Sequence, residues 1–408
     1  MVNASVTNWI SENARQLGFA MCGVVRAEKF PELARNDEWL ARGYAGEMKY
    51  LNDARRGDPL SAMAGVRSVI VCALTYNTEH SRSTQDWATG GQEPRGWISR
   101  YAWGDDYHEV LRAKLETLLG GLREQCTELF AARVYSDTGP INERVLARHA
   151  GLGWLGKNTL LLNERWGSFF FLGTILTTLD LQPTLGRAES PPADRCGSCR
   201  RCIDACPTEA LVEPYVMDAR KCISYLTIEL RGAIPEELRE PMGQHIFGCD
   251  ICQDVCPWNR NAPLTQAKEF QPRIYNRVFS EMRFMESDAQ EPHEGNHGLL
   301  ETPGGDEVQD SLVAPPLEWL AGVNEEDFRA MFRGSPIKRA KWKALIRNVC
   351  IALGNSKIEQ DSATHERVSK LLSRLAAGDE SLISESAQWA ISRIQANDKE
   401  NGKLHHHG

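Results

Sequence analysis

Residues 196–207 read CGSCRRCIDACP and residues 249–257 read CDICQDVCP. The first is a C-x2-C-x2-C-x3-C-P run, and the second is the same run without its first cysteine. Three closely spaced cysteines wrap an iron–sulfur cubane corner by corner, and the proline follows a fourth that ligates the other cluster in two-cluster arrangements. Cys222 stands alone upstream of the second run and supplies its missing ligand. Cys196, Cys199, Cys202 and Cys256 are therefore expected on one [4Fe–4S] cluster, and Cys222, Cys249, Cys252 and Cys206 on the other. Structural zinc closes a tetrahedron with paired C-x2-C knuckles, which this triple spacing suits poorly. A disulfide framework does not fit a chain this long that opens without an export signal.

At 408 residues the chain is too long for one small core, so two to four domains are expected. With 42% apolar and 25% charged residues the composition is globular, and a net charge of −8 argues against bulk nucleic-acid binding. No window approaches the ~18 apolar residues of a membrane span. The N-terminus reads as an amphipathic helix rather than a leader. Cys22, Cys72, Cys126 and Cys350 sit singly in apolar settings and read as buried free thiols. A reducing cytoplasm fits all of this, and the terminal HHHG is read as a tag remnant within 403–408.

Residues 1–190 alternate helix and strand signals. Helices are expected over Ser5–Leu17, Asp105–Glu124 and Ile141–Ala150, and strands over Ser68–Tyr76, Ala131–Tyr135, Thr159–Leu162 and Phe169–Thr178. This pattern predicts an α/β layer with some antiparallel pairing. Residues 191–262 form a ferredoxin-like segment carrying both clusters, and 263–315 link onward through an acidic, Gly- and Pro-containing stretch at 283–310. From 316 to 402 the signals are helical, in segments of roughly HEAT-repeat length.

Several motifs carry competing readings. Gly151–Asn158, GLGWLGKN, matches G-x-G-x-x-G, yet a helix precedes it and a strand follows, the reverse of a dinucleotide site. It reads instead as a helix cap and a glycine turn open enough to lie against something flat. Asp137, ahead of Thr138-Gly139-Pro140, reads as an Asx turn or cap, or as a carboxyl at a strand end able to supply a proton. His108 and His149 lie on predicted helices and read as packing residues. Residues 333–347, RGSPIKRAKWKALIR, hold six basic residues and no acid; Arg339, Lys343 and Arg347 would form one helical stripe, either a solvated face or a phosphate-binding one.

The chain resembles the epoxyqueuosine reductase family in Ile98–His108 (ISRYAWGDDYH), Ser136–Pro140, Gly151–Asn158, both cysteine runs, and the late Arg347-Asn348 and Ala352–Asn355. The resemblance implies a cobalamin in the N-terminal domain, two [4Fe–4S] clusters beside it, a HEAT-like C-terminus, and reduction of epoxyqueuosine to queuosine at the tRNA wobble position. It makes Asp137 the proton donor. It makes Arg100, Tyr101, Gly139, Asn142, Gly156, Lys157, Asn158 and Thr159 candidates to line the corrin, with Ser224 and Asp250 at its other edge. Lys338, Arg339, Lys343 and Arg347 become candidate tRNA-phosphate contacts. A ferredoxin- or flavodoxin-type electron donor and a monomeric enzyme are expected. Two other classes share features with this one: a corrinoid reductive dehalogenase and an electron-transfer module.

Overall fold

The computed structural model describes residues 2–85, 93–186, 189–276, 309–360 and 362–404. The N-terminal sheet is built from β1 (Met21–Arg26), β2 (Ser68–Thr75), β3 (Ala132–Tyr135) and β4 (Phe170–Thr177), in the order β1-β2-β4-β3. Every residue of β2 is buried because both faces of the sheet are covered. Ile70, Cys72 and Leu74 face a core shared with α1 (Val2–Gln16) and α2 (Tyr107–Gln125). Val69, Val71 and Ala73 face another, shared with α3 (Glu143–His149). This alternation is the β pleat, and it explains why a strand buried on both sides reads as one continuous apolar run.

The sequence predicted partial antiparallel pairing, whereas all three ladders of this sheet are antiparallel. Strand β1 was not anticipated: Gly23 interrupts its apolar run, and a side chain there would collide with the Ala150 carbonyl and Leu152. The strand expected at Thr159–Leu162 shrinks to Leu161–Leu162, which pairs with Trp154–Leu155 in a separate ribbon. Helix α3 starts at Glu143, with the Asn142 side chain accepting from Val145 N, rather than at Ile141. Most of the acidic 283–310 stretch lies outside the described residues.

The cysteine segment includes the short α4 (Ile223–Ile228) and packs against the C-terminal helices α5 (Trp342–Gly354) and α7 (Ser381–Leu404), with α6 (Ala363–Ala376) packed on α7. These helices do not keep a core to themselves. Leu345, Ile346, Val349 and Leu353 share one with Trp97, Ile98, Trp103, Ile246 and Phe247. Residues 97–98 also pair in parallel with 245–247. Among the described residues no helix is long and apolar enough to cross a membrane.

The basic run at 333–347 is not one helix. A 3-10 turn, Pro336–Ala340, ends at Lys341, whose φ of 65° lies in the left-handed region, and α5 begins at the next residue. The expected stripe is broken there. Lys338 pairs with Asp106 at 3.0 Å, Arg339 with Glu229 at 2.9 Å and Lys343 with Glu380 at 2.6 Å. Arg347 is 0% exposed and donates to the carbonyls of Leu226, Leu230 and Gly232 at 2.6, 2.9 and 2.5 Å. Its expected role as a phosphate contact is therefore corrected: helical periodicity placed it beside Arg339, but its guanidinium is enclosed. Asn348 adds bonds to the Thr227 and Ile246 carbonyls, so adjacent residues pin α5 to the segment between cysteines 222 and 249.

Removing the Arg347 donor leaves buried carbonyls unpaired, at about 1–3 kcal/mol for an unsatisfied group. Arg347→Met should lower unfolding free energy by about 3 kcal/mol in a denaturant titration. A stability equal to wild type would show that these carbonyls find other partners.

Candidate active site

Asp137 follows β3 and has φ 60°, a left-handed conformation that aspartate tolerates better than most residues. Gly139 two residues later is required: a Cβ there would come within 2.6 Å of the Tyr135 ring. The loop aims the Asp137 carboxylate at α2, where Tyr107 Oη donates to Oδ2 at 2.8 Å and His108 Nε2 lies 3.7 Å from the same oxygen. On its other side the imidazole meets Asp106 through Nδ1, at 2.7 Å, and Asp106 is also paired with Lys338. An aspartate–histidine–aspartate line results.

Burial would lower the His108 pKa, but the Asp106 and Asp137 carboxylates outweigh it and push it up to about 9. His108 therefore carries a proton at neutral pH. The Asp137 side chain is 67% solvent-accessible yet ringed by protein, which places it in a recess. Burial acts to raise its pKa, and His108, Tyr107 and Arg144 overcome that and hold it below the usual carboxylate range. In the open site the proton therefore sits on His108 rather than on Asp137. Glu143, at the start of α3, is pushed up to about 7 by burial and by the Asp137 charge.

The thiols fall into two neighbouring groups, seen in which cysteines act on one another's charge. Besides burial, Cys256 is influenced by Cys196, Cys202 and Cys199, and Cys202 by Cys196 and Cys199. Cys249 is influenced by Cys252 and Cys222, and Cys222 by Cys206. Cys252 responds to Cys222 and Cys206, and also to Cys202 across the divide. The donor chemistry suits sulfur ligands. Ala210 N donates to Cys206 Sγ at 3.3 Å, and backbone N–H groups of Ile251 and Trp258 serve Cys249 and Cys256. The buried Trp154 Nε1, which has no oxygen or nitrogen acceptor among the described residues, is directed at Cys196. Such N–H groups stabilise thiolate sulfur and tune cluster potential.

An aromatic wall joins the two centres. A Cβ on Gly248, beside Cys249, would lie 3.4 Å from Tyr101. Tyr101 packs edge-on to Tyr107 with centroids 6.0 Å apart, and Tyr107 stacks on Phe171 at 4.3 Å.

The other predicted residues divide by what their side chains touch. Ser224 donates from its backbone and hydroxyl to Cys222. Lys157 Nζ donates to the Gly197 and Cys199 carbonyls at 2.5 and 2.9 Å, and Asn158 reaches the Cys252 carbonyl. Thr159, at φ 66°, accepts from Arg144 through its carbonyl at 2.6 Å. The glycine turn was expected to be open; instead Gly153 and Gly156 pack against Leu162, where a Cβ would come within 2.0 and 2.5 Å. Arg100 turns its buried guanidinium to the carbonyls of Thr78, His80 and Ser81, and its buried Nε has no partner among the described residues. Asp250 is 1% exposed and its carboxylate accepts from Ser99, Trp97 and the Arg100 amide. Tyr107, His108, Glu143 and Arg144 were missed. The one sequence signal was Asp-Tyr-His at 106–108, where a helix cap and a site residue coincide.

The site defines a two-cluster iron–sulfur protein, and residues 195–259 match the 4Fe-4S double cluster binding domain. Residues 56–138, ending just past Asp137, match Epoxyqueuosine reductase QueG, DUF1730. Epoxyqueuosine reductase from Pseudomonas aeruginosa is 36% identical over 391 residues, covering 95% of this chain and 93% of the relative. That from Escherichia coli K12 is 36% identical over 381 residues, covering 93% and 86%. A crystal structure of epoxyqueuosine reductase with an epoxyqueuosine-modified tRNA stem loop superposes with a TM-score of 0.75 at 26% identity, over 96% of this chain and 90% of that one. The chain belongs to the epoxyqueuosine reductase family.

The raised His108 pKa makes a stability prediction. Its ordinary value is 6.5, so the proton-linked stabilisation is complete below that pH and is lost as pH climbs through about 9. The melting temperature of wild type should fall over this window, and His108→Gln should lack that part of the slope. A slope that persists unchanged in the variant would assign it to another group.

Proposed function

We propose that this protein reduces the epoxide of epoxyqueuosine in the tRNA wobble position to queuosine, using two [4Fe–4S] clusters and a cobalamin. The observation that carries this reading is the single aromatic wall: Tyr101 lies against Gly248 beside the cysteine run and, through Tyr107, against the Asp137–His108 pair. Electron delivery and proton delivery thereby meet at one place. Opening the epoxide to an alkene consumes two electrons and two protons and releases water.

The eight cysteines hold the clusters in the crossed sets given above. The wall of Tyr76, Tyr101, Tyr107 and Phe171 suits a flat macrocycle, with Tyr101, Gly139, Asn142, Gly156, Thr159 and Ser224 as its holders. When bound, the corrinoid supplies a strong one- or two-electron reductant. His108, 3.7 Å away and protonated at neutral pH, first passes its proton to Asp137, which hands it to the departing oxygen, and a second proton reaches the site through the same pair. Tyr107 orients the carboxylate, and Asp106 fixes the imidazole ring and favours its charged form. In this reading 1–190 is the corrinoid domain, 191–262 the ferredoxin-like one, 263–315 a connection and 316–402 a HEAT-like unit. A ferredoxin or flavodoxin feeds electrons to a monomer in the cytoplasm.

Two measurements test it. Cys222→Ala should lower iron from about eight atoms per chain to about four or fewer; an unchanged content would remove Cys222 from the ligands. Asp137→Asn should slow single-turnover queuosine formation by pre-reduced enzyme about 10²–10⁴-fold with cofactors retained. Turnover within a few-fold of wild type would leave Asp137 as a turn residue.

A further inference from the structure

One aromatic ring stands outside the apolar cores of the described residues. Tyr50, in the 3-10 turn Lys49–Asn52, is 47% exposed. The Arg56 guanidinium lies 5.7 Å from its ring centroid and that of Arg339 5.6 Å. These residues come from separate turns, and each arginine is anchored to a different wall of the site. Arg56 donates to the Ile141 carbonyl at 3.3 Å, on the segment leading from Asp137 into α3. Arg339 makes a two-pronged pair with Glu229, one residue past α4, at 2.9 and 3.1 Å. The bond from Arg56 to Ile141, four residues past Asp137, ties the group to the segment that carries the acid.

The chemistry of this surface is flat and cationic rather than greasy. Glu229 neutralises Arg339, and Asp53 neutralises the neighbouring Arg55, so bulk charge is modest. What remains is a phenol ring and guanidinium planes, the surfaces on which unpaired bases stack. A core role is excluded by exposure, and an apolar peptide would find no hydrophobic patch among these groups.

We propose that Arg56, Tyr50 and Arg339 form a stacking ladder for unpaired bases of the RNA loop whose modified base reaches Asp137. This rests on the tRNA reading above. It assigns to Tyr50 and Arg56 a role in holding the loop open beside the target nucleotide, and it recasts Arg339 from a phosphate contact to a stacking plane.

The test uses cofactor-loaded wild type, Tyr50→Phe and Tyr50→Leu, titrated with an epoxyqueuosine-containing anticodon stem-loop bearing 2-aminopurine next to the wobble position. Stacking on one aromatic is worth about 1–3 kcal/mol by substitution, so Tyr50→Leu should weaken binding about ten-fold or more. It should also abolish the quenching of 2-aminopurine, while Tyr50→Phe should retain both affinity and quenching. Iron and corrinoid contents should match in all three proteins. If Tyr50→Leu binds and quenches like wild type, or Tyr50→Phe is as impaired as Tyr50→Leu, the ladder is wrong while the tRNA reading stands. If wild type itself does not bind the stem-loop, the tRNA reading falls and takes the ladder with it.

Discussion

The Asp250 carboxylate is the joint on which the site depends. It lies between Cys249 and Cys252, is enclosed, and accepts from the Ser99 hydroxyl, the Trp97 indole and the Arg100 amide. A buried carboxylate tolerates desolvation only when such donors surround it. The cysteine run is thereby locked to residues 97–100, and the next residue is Tyr101, the ring shared by both halves of the site. This joint thereby fixes the cysteine run relative to the Tyr101, Tyr107 and Asp137 side of the site.

What could be read beforehand followed what each signal depends on. The two cysteine runs were legible because ligand spacing is a local property of the chain. Strand β2 was legible because burial on both faces leaves an uninterrupted apolar run. Strand β1 was hidden by Gly23, whose value lies in a contact with Ala150, a residue far along the chain. Arg347 was misplaced because helical periodicity assumed one helix across Lys341, and no periodicity reports a left-handed residue. Asp250 and Arg100 entered through the family resemblance alone, because the separate segments that supply their partners leave no mark on the local sequence.

The proton site shows the same limit more sharply. His108 alone on a helix is rightly read as a packing residue. Its role appears only when the β3 loop brings Asp137 against one nitrogen and the helix cap Asp106 holds the other. Asp106 serves two ends: it caps α2 through the His108 amide and charges the His108 ring. Its pairing with Lys338 ties the first turn of α2 to the turn before α5.

The core shared between residues 97–103, 246–247 and α5 has a consequence for biogenesis. Its contacts join segments from roughly a hundred to about 250 residues apart, and such long closures form late in folding. On a ribosome adding roughly 5–20 residues per second, α5 emerges about 5–20 seconds after the last cysteine. Until then the carbonyls that Arg347 and Asn348 will occupy stay open to water, and the cysteine segment lacks its lid. For a window of seconds, then, the nascent chain carries all eight cysteines without the C-terminal helices that later close over them.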